Sequence, residues 1–117
     1  MTIKIIHDRI TRSELKKLAE ETFVEMVKAV ADIRRGVIAV GGELHSETRD
    51  KLLAEGSKAQ DLWGFNIYLD GQFDDALEYS SQINLRPAEH NASLQIKSPE
   101  VRALIRDLVL RMVDWEH

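Results

Sequence analysis

The clearest pattern in the chain is the alternation of apolar and polar positions in LWGFNIYL, residues 62–69. An extended backbone places every second side chain on the same side. One side of this segment then carries only large apolar residues, Trp63, Phe65, Ile67 and Leu69. The pattern predicts a strand whose apolar side covers the core and whose other side presents Asn66 and Tyr68.

A helix is predicted to begin after Thr11. Thr11 and Glu14 have the spacing of a capping box, in which each side chain bonds a backbone N–H group of the first helical turn. Apolar residues then recur at three- and four-residue steps, and together they form one stripe: Leu15, Leu18, Ala19, Phe23 and Met26.

A second helix is predicted at the C-terminal end of the chain. Ser98 is a good cap, and proline is favoured at the first helical position, where Pro99 stands. Its apolar stripe consists of Val101, Leu104, Ile105, Leu108 and Met112.

The segment after the first helix allows two assignments. Residues 27–33 either continue the helical stripe or form a strand. The β-rich runs on both sides of the glycine-containing turn at 34–36 favour a hairpin. We then expect a short helix capped by Ser46, reaching Leu53 and ended by Gly56.

Two further strands are predicted at 79–87 and 92–97, because both segments alternate and PAEHN between them is typical of a turn. In this arrangement Asn84 and Arg86 face outward. Strands joined mostly by hairpins, with helices at the start, middle and end, indicate an α+β fold. We expect one domain over 1–117, with an antiparallel or mixed sheet of about five strands and helices mainly on one face.

Composition narrows the function classes. The chain has no cysteine, which excludes disulfides and thiolate chemistry and suits a cytoplasmic location. The N-terminus shows neither a signal peptide nor a membrane anchor, and no later apolar run is long enough to span a membrane. The net charge of −4, without a positive stripe, does not favour a nucleic-acid partner. No cofactor is indicated.

The stretch AVGGELHSETR, residues 39–49, carries the candidate chemistry. On an extended backbone Glu43 and His45 point the same way, as an acid/base pair or two metal ligands do. The alternative is a glycine corner with solvated or capping side chains. No spacing in the chain matches a metal-site signature, so no metal is predicted.

The polar side of the predicted sheet supplies candidate ligand-binding residues, namely Asn66, Tyr68, Asn84 and Arg86. Arg86 precedes a proline, and a guanidinium on a rigid extended backbone is a good anion anchor. Pairing with an acidic neighbour such as Glu43 is the alternative role for this arginine.

Three segments, DIRRGVIAVGGELHSE, QDLWGFNIY and INLRPAEHNASLQI, together resemble an uncharacterised family of small, mostly bacterial proteins with a domain of unknown function. The resemblance covers about residues 1–113, and its recurring motifs are GGELH, DLWG-N-Y and IN-RP. The resemblance implies that these motif positions are shared with relatives, but it implies no reaction. The chain departs from the family pattern at Ser46–Glu47 and at Ala92, where relatives often carry an arginine.

Three function classes follow. The first is a small binding or regulatory protein with a polar sheet-face cleft, whose partner is a small molecule or a protein and which is a candidate homodimer. The second is a metal-assisted or acid/base hydrolase that uses Glu43 and His45. The third is a component of a toxin–antitoxin pair.

Overall fold

A five-stranded antiparallel sheet forms the centre of the computed structural model, which describes residues 1–117. Its strands are β1 (Ile3–Ile6), β3 (Met26–Asp32), β4 (Val37–Gly41), β5 (Leu62–Tyr68) and β6 (Leu77–Glu78), in the order β1-β4-β3-β5-β6. Two further short strands, β2 (Ile10–Thr11) and β7 (Val113–Asp114), pair in parallel. The helices are α1 (Arg12–Glu20), α2 (His45–Ala54) and α3 (Pro99–Met112). The α+β prediction with an antiparallel sheet is confirmed.

Of residues 27–33, those up to Asp32 form a strand and not a helix extension, and Ile33 begins the turn. β3 and β4 make the predicted hairpin, and the carboxylate of Asp32 accepts hydrogen bonds from the backbone N–H groups of Arg34 and Arg35 at 3.0 and 2.9 Å. This local bonding fixes the turn, and Gly36 adopts a positive φ of 70° there.

The sheet is covered on both faces. α1 and α3 pack on one face with the apolar side of β5, so Trp63, Phe65 and Ile67 are buried as predicted. α2 packs on the other face, where Leu52 contacts a smaller apolar cluster. Helices therefore lie mainly on one face, and α2 leaves only one end of the opposite face open to other contacts. No helix has both the length and the apolar character that crossing a membrane requires.

The predicted start of α1 is confirmed, because Thr11 and Glu14 form the capping box. The helix ends earlier than its apolar stripe suggests, since Phe23 and Met26 lie beyond Glu20. Val24 adopts a positive φ of 68° and its N–H bonds back to the carbonyl of Ala19, which closes the helix and turns the chain into β3.

α3 begins as predicted, with the hydroxyl of Ser98 accepting a hydrogen bond from the N–H of Val101. The prediction that Ser46 caps α2 is wrong, because the helix begins at His45 and Leu44 occupies the cap position. Gly56 follows the end of this helix with a φ of 105°, as expected of a glycine past a helix terminus.

The strands predicted at 79–87 and 92–97 are wrong. Short 3₁₀ turns at Gln82–Asn84 and Pro87–Glu89 replace the first, and only isolated bridges, Ser80 with Gln95 and Arg86 with Asn91, join the two segments. Alternation in this part of the chain does not reflect a sheet. The segment keeps its shape through buried side chains that bond its backbone.

Two buried asparagines hold this irregular segment. The Asn84 amide accepts a bond from the N–H of Gly64 at 2.8 Å and donates to the Gly64 carbonyl at 2.9 Å, as a neighbouring strand would. The Asn91 amide donates to the carbonyls of Asn84, Ser93 and Gln95. These bonds satisfy backbone groups that no strand pairs, so residues 80–97 stay ordered without a ladder.

Candidate functional site

A row of polar residues crosses the sheet at the end that α2 leaves open. Lys28 on β3 pairs in register with Asn66 on β5, and Asn66 pairs with Glu78 on β6. Lys28 is half-buried and forms no ion pair; its ammonium lies 5.3 Å from the centre of the Phe23 ring. Asn66 is 7% exposed, and its amide donates to Glu78 Oε1 at 2.8 Å. Lys28 and Asn66 form part of the floor of a cleft, and Glu78 lies outside its lining.

His45 opens α2 and reaches back to the sheet. Its Nε2 lies 2.8 Å from the carbonyl oxygen of Phe65, and because a carbonyl only accepts, Nε2 carries the proton and donates. Burial lowers the pKa of His45 below its ordinary value of 6.5, so the imidazole is neutral at pH 7. The hydrogen bond therefore fixes one tautomer and anchors the first turn of α2 on β5.

The N-terminus of α2 has no side-chain cap. Leu44 at the cap position lacks a hydrogen-bonding side chain, and the carboxylate of Glu47 reaches back to the N–H of Leu44 at 3.2 Å. The backbone N–H groups of His45 and Ser46 are thus left without the cap that most helices provide. They border the cleft, where the helix dipole favours a negative charge.

The segment from Ser80 to Ile83 forms the opposite wall. It approaches β5 closely because Gly64 has no side chain; a Cβ there would lie 2.6 Å from the Cβ of Ser81. Gly64 has no positive φ, so glycine is required here for the close approach of the two segments and not for its backbone conformation. The wall adds the side chains of Ser80, Ser81 and Gln82 to the cleft.

The resulting cleft, here called the α2 cleft, has a volume of about 530 Å³. Its lining includes two cationic side chains, Lys28 and Arg49, and no carboxylate. The nearest acidic group to Arg49 is the carboxylate of Asp50, whose oxygen lies 4.0 Å from its Nε, and that Nε is buried without a hydrogen-bond partner. Lys28 therefore brings an unpaired positive charge to the cleft, and Arg49 brings one that only the Asp50 carboxylate approaches, at 4.0 Å; together they favour an anion.

The structure brings His45 and Asn66 together and separates the other predicted site residues from them. Glu43 is exposed, forms no hydrogen bond or ion pair, and does not line the α2 cleft. Tyr68 stands beside the cleft and its hydroxyl contacts Glu78 at 3.4 Å. Asn84 is fully buried in its bonds to Gly64. The polar sheet face expected to present Asn66, Tyr68, Asn84 and Arg86 together does not form.

Arg86 packs inside the protein and not in the α2 cleft. Its guanidinium lies 3.8 Å from the centre of the Trp63 ring, and its Nη1 donates to the carbonyl of Ala59 at 2.9 Å. The carboxylate of Glu89 is 4.0 Å from its Nε, and burial lowers the pKa of this arginine. Glu43 forms no pair with it, and its contacts hold the chain before β5 against residues 80–97, here called the strap.

Sequence reasoning missed Lys28 and Arg49, because each is an isolated cation in a charged chain. The sequence did contain a signal for Lys28. It precedes Ala29 on β3, and neighbouring side chains of a strand point to opposite faces of the sheet. Arg49 lies four residues after His45, which places both on one side of α2 once the helix start is known. No group of three or more His, Asp or Glu side chains in the structure is arranged to hold a metal ion.

Comparison with known proteins identifies a family but no activity. No curated protein and no solved structure matches the chain. One family model does match, described as "Protein of unknown function (DUF5674)", over residues 4–112. The match covers nearly the whole sheet and all three helices, and it agrees with the resemblance carried by the GGELH, DLWG-N-Y and IN-RP motifs. The chain belongs to this family of proteins of unknown function.

Proposed function

We propose that the protein is a small cytoplasmic binding or regulatory protein whose α2 cleft holds a small anionic molecule. The observation that carries the proposal is the lining of the cleft, which combines Lys28, Arg49 and the uncapped start of α2 without any carboxylate. In a chain of net charge −4, a concave surface of this kind is a local reversal of the overall charge.

The geometry supports binding more than catalysis. The acid/base hydrolase alternative needs Glu43 close to His45, but Glu43 is outside the cleft, and the Nε2 proton of His45 is held by the Phe65 carbonyl. A metal-assisted reaction would need further ligands, and no such cluster supports it. A phosphate or carboxylate on the ligand would instead meet Arg49 and the first N–H groups of α2.

We propose a small molecule as the partner in preference to a second copy of the chain. The concave, polar α2 cleft suits a small molecule better than it suits the surface of a protein partner. For a homodimer, α3 offers no continuous apolar stripe. Its exposed apolar residues Leu104 and Leu110 lie six positions apart and so on different sides of the helix. Equilibrium sedimentation of the full chain tests the dimer directly.

Calorimetric titration with inorganic phosphate tests the proposed function. Arg49→Gln should weaken binding by about tenfold or more, since hydrogen bonds to charged groups contribute about 1.5–3 kcal/mol. Lys17→Gln is the matched control, because it removes the same charge from an exposed side chain that lies outside the cleft and forms no ion pair. Equal losses in the two variants would show that phosphate senses only net charge, and the proposed site would then be wrong.

A further inference from the structure

The amide of Asn66 is only half satisfied. Its Nδ2 donates to Glu78 Oε1 at 2.8 Å and to the carbonyl of Ser80 at 3.5 Å, while its Oδ1 is buried and accepts no hydrogen bond. The residue is 93% buried, counting from its exposure of 7%, and it lines the α2 cleft. A buried acceptor without a donor is costly, so its presence in a cleft calls for a partner.

The orientation of this amide is fixed by its neighbours. Exchanging the oxygen and nitrogen would point Oδ1 at the Glu78 carboxylate and the Ser80 carbonyl, both of which only accept. The free atom is therefore the acceptor oxygen.

Two donors close to Asn66 are engaged elsewhere. Lys28, the register partner of Asn66 on β3, places its ammonium near the Phe23 ring and makes no hydrogen bond to Oδ1. The Nε2 proton of His45 goes to the Phe65 carbonyl. Neither side chain bonds Oδ1 in this structure, so the oxygen can accept a hydrogen bond from a bound molecule.

We propose that the ligand of the α2 cleft carries, besides its anionic group, an N–H or O–H group that donates to Asn66 Oδ1. This inference rests on the proposed anion-binding function and narrows the ligand class to amino- or hydroxy-bearing phosphates and carboxylates. The carboxylate of Glu78, bonded to the same amide, adds attraction for an amino group at this end of the cleft. A volume of about 530 Å³ leaves room for a molecule larger than a bare phosphate.

The test compares ligands with and without the donor; the hydroxyalkyl probes differ from the alkyl ones in the donor alone, and the aminoalkyl probes also add a positive charge. Alkyl phosphates of increasing chain length are titrated against the full-length wild-type protein beside aminoalkyl and hydroxyalkyl phosphates of matching length. The best donor-bearing probe should bind about fivefold or more tightly than its plain alkyl partner, as one good neutral hydrogen bond provides. Asn66→Ala should bring this ratio close to one, and Arg49→Gln should weaken both members of the pair and leave the ratio unchanged.

The possible failures are distinct. Equal binding of the paired probes to the wild-type protein means that solvent satisfies the Asn66 oxygen, and it overturns the donor requirement while anion binding stands. No saturable binding of any probe overturns this inference and the proposed function together. Because the wild-type comparison decides the first point alone, the result does not depend on whether Asn66→Ala folds.

Discussion

Asn84 and Arg86 have polar side chains that serve the fold. Both stand in an alternating segment, and an alternating pattern predicts that they face outward. In the structure the Asn84 amide closes the edge of β5 at Gly64, and Arg86 stacks on Trp63. Polar residues at such positions replace missing strand pairing, so their presence alone is no evidence of a ligand site.

Asn84→Ala should lower the free energy of unfolding by about 2–4 kcal/mol, because it leaves the buried N–H and carbonyl of Gly64 unpaired. Urea denaturation measures this loss. Gln72→Ala is the control, since Gln72 is exposed and its side chain forms no hydrogen bond; we expect a change within about 0.5 kcal/mol. A change that small at Asn84 would contradict its assigned role.

His45 should make stability depend on pH. Its pKa in the folded protein lies below 6.5, so between the two values the unfolded chain binds more protons. The stabilisation is therefore complete above pH 6.5 and is lost as the pH falls toward the folded-state pKa, at up to about 1.4 kcal/mol per pH unit.

Urea denaturation between pH 7.5 and pH 5 should show this loss in the wild-type protein and a shallower one in His45→Gln, whose amide can still donate to Phe65. His90→Asn is the control, because His90 is exposed and asparagine tolerates its positive φ of 64°. Identical pH profiles for all three proteins would show that burial of His45 has no effect on protonation.

At the scale of elements, α2 begins without a stabilising side-chain cap. Its cap position holds Leu44, which is 57% exposed and cannot bond the first helical turn. Leu44→Ser should raise the free energy of unfolding by about 0.5–1 kcal/mol, as a new cap does, and should weaken phosphate binding because its hydroxyl takes a free N–H group.

Leu94→Ser is the matched control for this cap. Leu94 is another exposed leucine in the lining of the α2 cleft, and it lies outside any helix. Leu94→Ser should neither raise the free energy of unfolding nor weaken phosphate binding. If Leu44→Ser left phosphate affinity at the wild-type level, the start of α2 would have no part in binding.

Elements with local signals were predictable from the sequence. The capping box of α1, the Ser98–Pro99 start of α3 and the alternation of β5 are all set by residues within a few positions of one another. The strap of residues 80–97 was not, because its shape depends on bonds from Asn84 to Gly64, twenty positions away. The site was not predictable for the same reason, because His45 and Asn66 become neighbours only when α2 packs on β5.

At the scale of the whole molecule, two concave surfaces compete for an anion. The second is a groove of about 420 Å³ between the β3–β4 turn and α3, with Arg34, Arg35 and Arg111 in its lining. There the Arg35 guanidinium already bonds Glu55 at 2.7 Å, and Asp107 adds a carboxylate. The α2 cleft has two cations and no carboxylate in its lining, and the nearest carboxylate to Arg49 is 4.0 Å away, so it should be the stronger site.

Mapping backbone amide chemical shifts during a phosphate titration at constant ionic strength tests this account most directly. It predicts saturable shifts at Lys28, residues 44–49, Asn66 and residues 80–83, and small, non-saturating changes in the groove at 33–36 and 104–111. Saturable shifts centred on the groove, or shifts scattered over the surface without saturation, would contradict the claim that the α2 cleft binds an anionic ligand.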